Sequence, residues 1–165
     1  MPSIGRDTVI DSWFTLVESG AGKDAWVMAT TEQFIKDVNA PDVVCQRTEV
    51  STALFGTRRD FLMVSNRRLQ EYAMYIGARD YGQDLDISWF LTLSPGFLKR
   101  TVSKYATGNP QALSMAINIF DQQDLSAYTT MAHHSLQKTL KTLMEELKQD
   151  YSTINTRSKG FLSVW

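Results

Sequence analysis

Between residues 43 and 93 the chain is dense in β-branched and aromatic residues, and turn residues recur about every ten positions. That texture is the strongest constraint on the fold. It predicts four strands, near 43–54, 58–65, 70–79 and 84–93, joined around Gly56, Asn66-Arg67 and Tyr81-Gly82. Connections this short cannot reverse into parallel pairing, so neighbouring strands run antiparallel as a meander. A meander has two faces, and the apolar one needs a cover.

The flanking segments supply candidates for that cover. Thr8 and Asp11 have the spacing of a capping box, and Val9, Trp13, Leu16 and Val17 follow at intervals that fit a helix ending at Gly20. A second helix is expected from Lys23 or Asp24 to Val38, stopped by Asn39 and Pro41. The longest periodic run begins at Asp121. Leu125, Tyr128, Ala132, Leu136, Leu143 and Leu147 share one face, and a helix continuing to Tyr151 would be roughly 45 Å long.

Residues 95–120 read as irregular with a short helix, broken at Thr107-Gly108-Asn109-Pro110. The organisation expected is one α+β domain over 1–165: helical to 42, meander from 43 to 94, irregular to 120, a long helix over 121–151 and a tail over 152–165. Its architecture is a four-stranded antiparallel meander sheet, with two N-terminal helices and one long C-terminal helix on one face.

The last hairpin contains three aspartates and an arginine: Arg79, Asp80, Asp84 and Asp86. Period-two reading puts Leu85, Ile87, Trp89, Leu91 and Leu93 on one face, with Tyr72, Met74, Ile76 and Ala78 as the matching set on the preceding strand. A two-residue turn at Tyr81-Gly82 pairs Asp80 with Gln83, Arg79 with Asp84 and Ile76 with Ile87, keeping both apolar sets together. Arg79 and Asp84 then form an opposite-charge pair on the outer face, beside Asp86, Tyr75 and Phe90. The aspartates lack calcium-loop spacing, because Gly82 is misplaced and no closing Glu follows. They read as the water-facing end of a hairpin, and no metal site is expected.

Composition narrows the function classes. With 17 basic and 18 acidic residues in 165, the net charge of −1 provides no field of one sign for nucleic acid or an anionic membrane. The basic residues gather mildly in the middle third, at Arg58-Arg59, Arg67-Arg68, Lys99-Arg100 and Lys104. At hairpin ends they read as solvated or paired, so nucleic-acid binding is not expected. The segment 97–105 is a short basic amphipathic stretch whose three cations attract lipid only weakly, so membrane contact is not expected either. The amino-terminal residues have no signal-peptide pattern, and no apolar run approaches the length of a membrane span. One cysteine, Cys45, excludes an intramolecular disulfide and suggests a reducing, cytoplasmic setting.

Few residues suggest catalysis. His133 and His134 are adjacent, so on a regular helix they point about 100° apart and cannot chelate one ion. His133 falls at the flank of the apolar stripe, where a boundary histidine hydrogen-bonded to a neighbour is expected. Cys45 reads as a small apolar strand residue. Gly20-Ala21-Gly22-Lys23-Asp24 holds part of a phosphate-loop pattern, but the first glycine and the final Ser or Thr are missing, and the loop is expected to follow a helix rather than a strand.

No catalytic residue, metal or cofactor is therefore expected. The leading expectation is a non-catalytic binding module that engages a protein partner or a second copy of itself. The contacts expected are Tyr75 and Phe90 on the outer sheet face, and Phe161 and Trp165 in an apolar tail able to add to a sheet edge. The alternative is a carrier of a small apolar ligand, or an enzyme, with a pocket between the sheet and the long helix. In outline that is similar to helix-grip ligand carriers, and it would use His133 with Tyr75, Arg79 or Asp86.

Overall fold

The computed structural model describes residues 4–51, 57–94, 96 and 117–165. After a 3-10 turn at Arg6–Thr8 come β1 (Val9–Val17), α1 (Asp24–Val38), β2 (Val43–Ser51), β3 (Arg58–Asn66), β4 (Tyr72–Tyr81) and β5 (Asp84–Leu93). Then follow α2 (Ile119–Glu146), a 3-10 turn at Tyr151–Thr153 and the two-residue β6 (Lys159–Gly160). The strands form one six-stranded sheet in the order β2-β3-β4-β5-β1-β6, with every neighbouring pair antiparallel.

Two expectations are overturned. The sheet has six strands rather than four, and only one helix precedes the meander. Helical spacing does not settle the conformation of Val9–Val17, because residues four apart such as Trp13 and Val17 share a face in a helix and in a strand alike. A bulge between Val9 and Asp11 takes Val9 out of that series and sets it opposite Thr92. The density of β-branched and aromatic residues in this segment favours the pleated surface, which places Asp11, Trp13 and Val17 inward. Thr8 caps no helix; its hydroxyl donates to the Gly5 carbonyl at 2.7 Å within the 3-10 turn. Paired with β5 along most of its length, β1 runs in the same direction as β2 at the far edge. Parallel strands cannot be joined by a tight turn, so the 15 residues of α1 serve as the crossover. The sixth strand is the tail, which lies against Asp11 and Ser12 of β1.

Both helices pack on the inner face. There Leu125, Ala132, Leu136, Leu140 and Leu143 of α2 meet Trp89, Leu91, Met74, Ile76 and Leu62, all fully buried. The outer face has its own smaller cluster, Val50, Phe61 and Tyr75, with Ile4, Met63, Ala73 and Phe90 packed against it. Phe61 lies over Gly77, where a Cβ would come within 2.7 Å of the ring. The long helix spans Ile119–Glu146 and stops short of Tyr151, because Lys148 takes a left-handed conformation with φ 57°. The irregular segment expected over 95–120, with its basic amphipathic stretch, falls mostly outside the described residues.

Candidate functional site

The acidic hairpin end is a clamp. The observed turn is Gly82-Gln83, so Tyr81 pairs with Asp84, Arg79 with Asp86 and Ile76 with Trp89. This register differs from the expected one by two residues, which leaves every side chain on its expected face but changes all its partners. Gly82, with φ 67°, takes the first central position of the turn, where a positive φ is required. Arg79 Nη2 donates to Asp86 Oδ2 at 2.8 Å. Asp84 Oδ1 accepts from the Ser19 amide at 3.0 Å, and Asp80 Oδ1 accepts from the Gly22 amide at 2.8 Å. The three carboxylates thus hold a loop and an arginine.

That loop is Glu18–Lys23, and its place corrects the phosphate-loop argument. It does follow a strand and precede a helix. The amides from Ser19 to Lys23 are nevertheless all engaged: Gly20 by Val17 O, Ala21 by Gln83 O and Lys23 by Gly20 O, with Ser19 and Gly22 held by the two aspartates. Carboxylates of the chain itself occupy the place where a phosphate would need donors.

His133 is not a boundary residue but fully buried. Trp89 Nε1 donates to its Nδ1 at 2.9 Å. An indole N–H can only donate, so Nδ1 accepts, and Nε2 carries the proton that it donates to Thr156 O at 2.8 Å. Trp13 and Trp89 flank the ring edge-on at 5.5 and 5.7 Å between centroids. Burial pushes the imidazole down to about 4, against the opposing pull of the Thr156 carbonyl.

Beside it, Trp13 Nε1 donates to Asn155 O at 2.7 Å and Tyr151 donates to Gln137 Oε1 at 2.6 Å. His134 Nε2 meets Trp165 O at 3.0 Å. The adjacent histidines therefore hold two points of the C-terminal tail. Asp11, which the sequence reading passed over, holds a third. Its buried carboxylate accepts from the amides of Ser12, Leu162 and Ser163 at 2.8, 2.7 and 3.1 Å. A buried acid inside an apolar strand was the available signal, hidden by the assumption that Asp11 belonged to a capping box.

The candidate residues do not converge. Tyr75, Arg79, Asp86 and Phe90 lie on the outer face, and His133 lies on the inner face among tryptophans. Tyr75 is only 7% exposed, and Phe90, its cross-strand partner, is half-buried. Phe161 packs against the main core, whereas Trp165 is 76% exposed. Burial pushes the Cys45 thiol up to about 11, away from nucleophilic character. Among the described residues, no three His, Cys, Asp or Glu side chains are grouped to hold a metal ion, and no helix is long and apolar enough to cross a membrane.

Among the described residues the sheet has two open edges: that of β2, which pairs with β3 alone and carries Arg47 and Glu49, and the more apolar outer edge of β1 beyond β6. β6 covers Asp11 and Ser12 only, so among the described residues Trp13–Val17 have a strand on one side alone. Ile10 O accepts from Phe161 N on the β6 side at 2.9 Å. By strand alternation, the N–H and C=O of Phe14 and Leu16 point to that same uncovered side. Their side chains are 69% and 47% exposed, the first with the Lys159 ammonium 5.9 Å from its ring centroid. No proline or charged residue lies between Trp13 and Val17 to blunt that edge. Comparison with protein-family models, curated proteins and solved structures finds nothing that matches this chain.

Proposed function

We propose that this protein is a non-catalytic interaction module that accepts a β-strand from a protein partner on the free edge of β1. The observation behind this reading is the contrast between that edge and the rest of the molecule. The residues that suggest chemistry, His133, Asp80, Asp84, Asp86 and Arg79, are engaged in holding the chain together. The edge instead offers backbone groups with no strand partner among the described residues, beside two large exposed apolar side chains, the arrangement that strand addition uses. The ligand-pocket alternative has less support, because Asp86 and His133 lie on opposite faces of the sheet. With its single cysteine unpaired and half-buried, we place the protein in the cytoplasm.

The test is titration of isotope-labelled protein, held dilute, with an eight-residue peptide of alternating valine and threonine. Amide signals of Phe14 and Leu16 should shift and become protected from exchange, and Phe14→Lys should abolish the effect. Unchanged edge amides at millimolar peptide would refute the reading.

A further inference from the structure

Resting on that reading, we propose that the strand is supplied by a second copy of the chain, with a two-fold axis passing through Thr15. An isologous pair brings one patch against itself, so the edge must be self-complementary. The backbone restricts where the axis can fall. Phe14 and Leu16 face outward while Thr15 faces β5, so an axis between residues would set an outward-facing residue against an inward-facing one. Only an axis through a residue keeps the hydrogen-bonding phase, and within Trp13–Val17 only Phe14, Thr15 and Leu16 have an uncovered residue on both sides.

An axis at Phe14 sets Leu16 against Ser12, where β6 already lies. An axis at Leu16 sets the phenyl of Phe14 against the carboxylate of Glu18. An axis at Thr15 sets Phe14 opposite Leu16 of the second copy, and Leu16 opposite its Phe14. These are hydrogen-bonded pairs that exchange both of their bonds, so four backbone hydrogen bonds form and two exposed apolar pairs are covered.

The ends of the ladder agree. The stretch free among the described residues is Trp13–Val17, and a second strand centred on Thr15 also ends at Val17, where β1 itself stops before Ser19 turns with φ 55°. β6 therefore bounds the incoming strand without occupying its place. Glu18 of the second copy falls opposite Ser12, where Lys159 already lies. Its chain therefore has to leave the ladder after Val17, in the turn that Gly20 N closes on Val17 O, and the Glu18 side chain then emerges beside Lys159. Glu18 and Lys159 have no ion-pair partner among the described residues, and the two-fold brings them together twice. The ladder is short, so the dimer should be weak, with a dissociation constant on the order of 10–100 µM.

The experiment combines cross-linking with sedimentation. At Thr15 the two copies form a non-hydrogen-bonded pair with Cα atoms about 4.5 Å apart, within the range that a disulfide spans. The Cys45→Ser/Thr15→Cys variant, oxidised at 100 µM, should give a disulfide-linked dimer, whereas Cys45→Ser/Ser12→Cys should not. In sedimentation of the uncross-linked protein, Phe14→Lys should give a monomer. Glu18→Lys should weaken dimerisation about three- to tenfold, and adding Lys159→Glu should restore it.

A dimer that ignores Phe14→Lys, or one that Ser12→Cys cross-links and Thr15→Cys does not, overturns the proposal. So does a monomer at 500 µM. In each of these cases the peptide titration separately decides whether the edge accepts strands. Because Phe14 and Glu18 are exposed, their variants test the proposal even if Thr15→Cys folds poorly.

Discussion

At the scale of single residues, His133 shows how burial sets a protonation state. A second proton on the ring would land on Nδ1 and expel the Trp89 indole hydrogen bond. Its folded value of about 4 lies below that of an unfolded histidine, so the unfolded chain takes up a proton first as pH falls. The resulting stability is complete above about pH 6.5 and is lost progressively towards pH 4, by up to about 3 kcal/mol. Urea unfolding at pH 7.5 and 4.5 should show this loss, and His133→Gln should lower stability at pH 7.5 but flatten the slope over the same window. Cys45 gives a second prediction. With its thiol at about 11, iodoacetamide at pH 7.5 should label it at least about a hundredfold more slowly than a free cysteine, and urea should restore the ordinary rate.

At the scale of elements, the hairpin of β4 and β5 and the loop after β1 are one unit, because two aspartates of the hairpin accept from two amides of the loop. Replacing Asp80 and Asp84 together by Asn should speed hydrogen exchange at Ser19 and Gly22 and cost about 1–2 kcal/mol, since the sites are exposed. β6 depends on a close approach. A Cβ on Gly160 would come within 2.5 Å of Asp11 Cα and Ile10 O, so Gly160→Ala should detach the short strand. Loss of exchange protection at Phe161, with the β1–β5 amides still protected, is the expected signature.

The strand alternation of β4 and β5 was legible in the sequence because burial of one face forces parity. The register itself was not, since Tyr81-Gly82 and Gly82-Gln83 turns satisfy the same alternation. β1 was misread for a related reason: apolar residues four apart obey both the helical and the strand period.

At the scale of the whole molecule, the C-terminal tail is part of the core rather than an appendage. Removing residues 155–165 would strip Trp13 Nε1 and His133 Nε2 of their acceptors and Asp11 of two of its donors. Each buried group left unpaired costs about 1–3 kcal/mol, so this truncation should cost roughly 4–6 kcal/mol, readable as a much lower urea midpoint.

The sequence by itself determined the antiparallel meander, the two helices that cover it, and the absence of a one-signed charge field. These follow from local periodicity, short connections and composition, which act over a few residues at a time. Tertiary structure decided that Val9–Val17 joins the sheet, that His133 and Asp11 anchor a tail more than twenty and one hundred residues away, and that an apolar edge is left open at Phe14 and Leu16. Such outcomes depend on which distant groups compete for the same hydrogen bonds and the same buried surface, and that competition is resolved only when the chain packs.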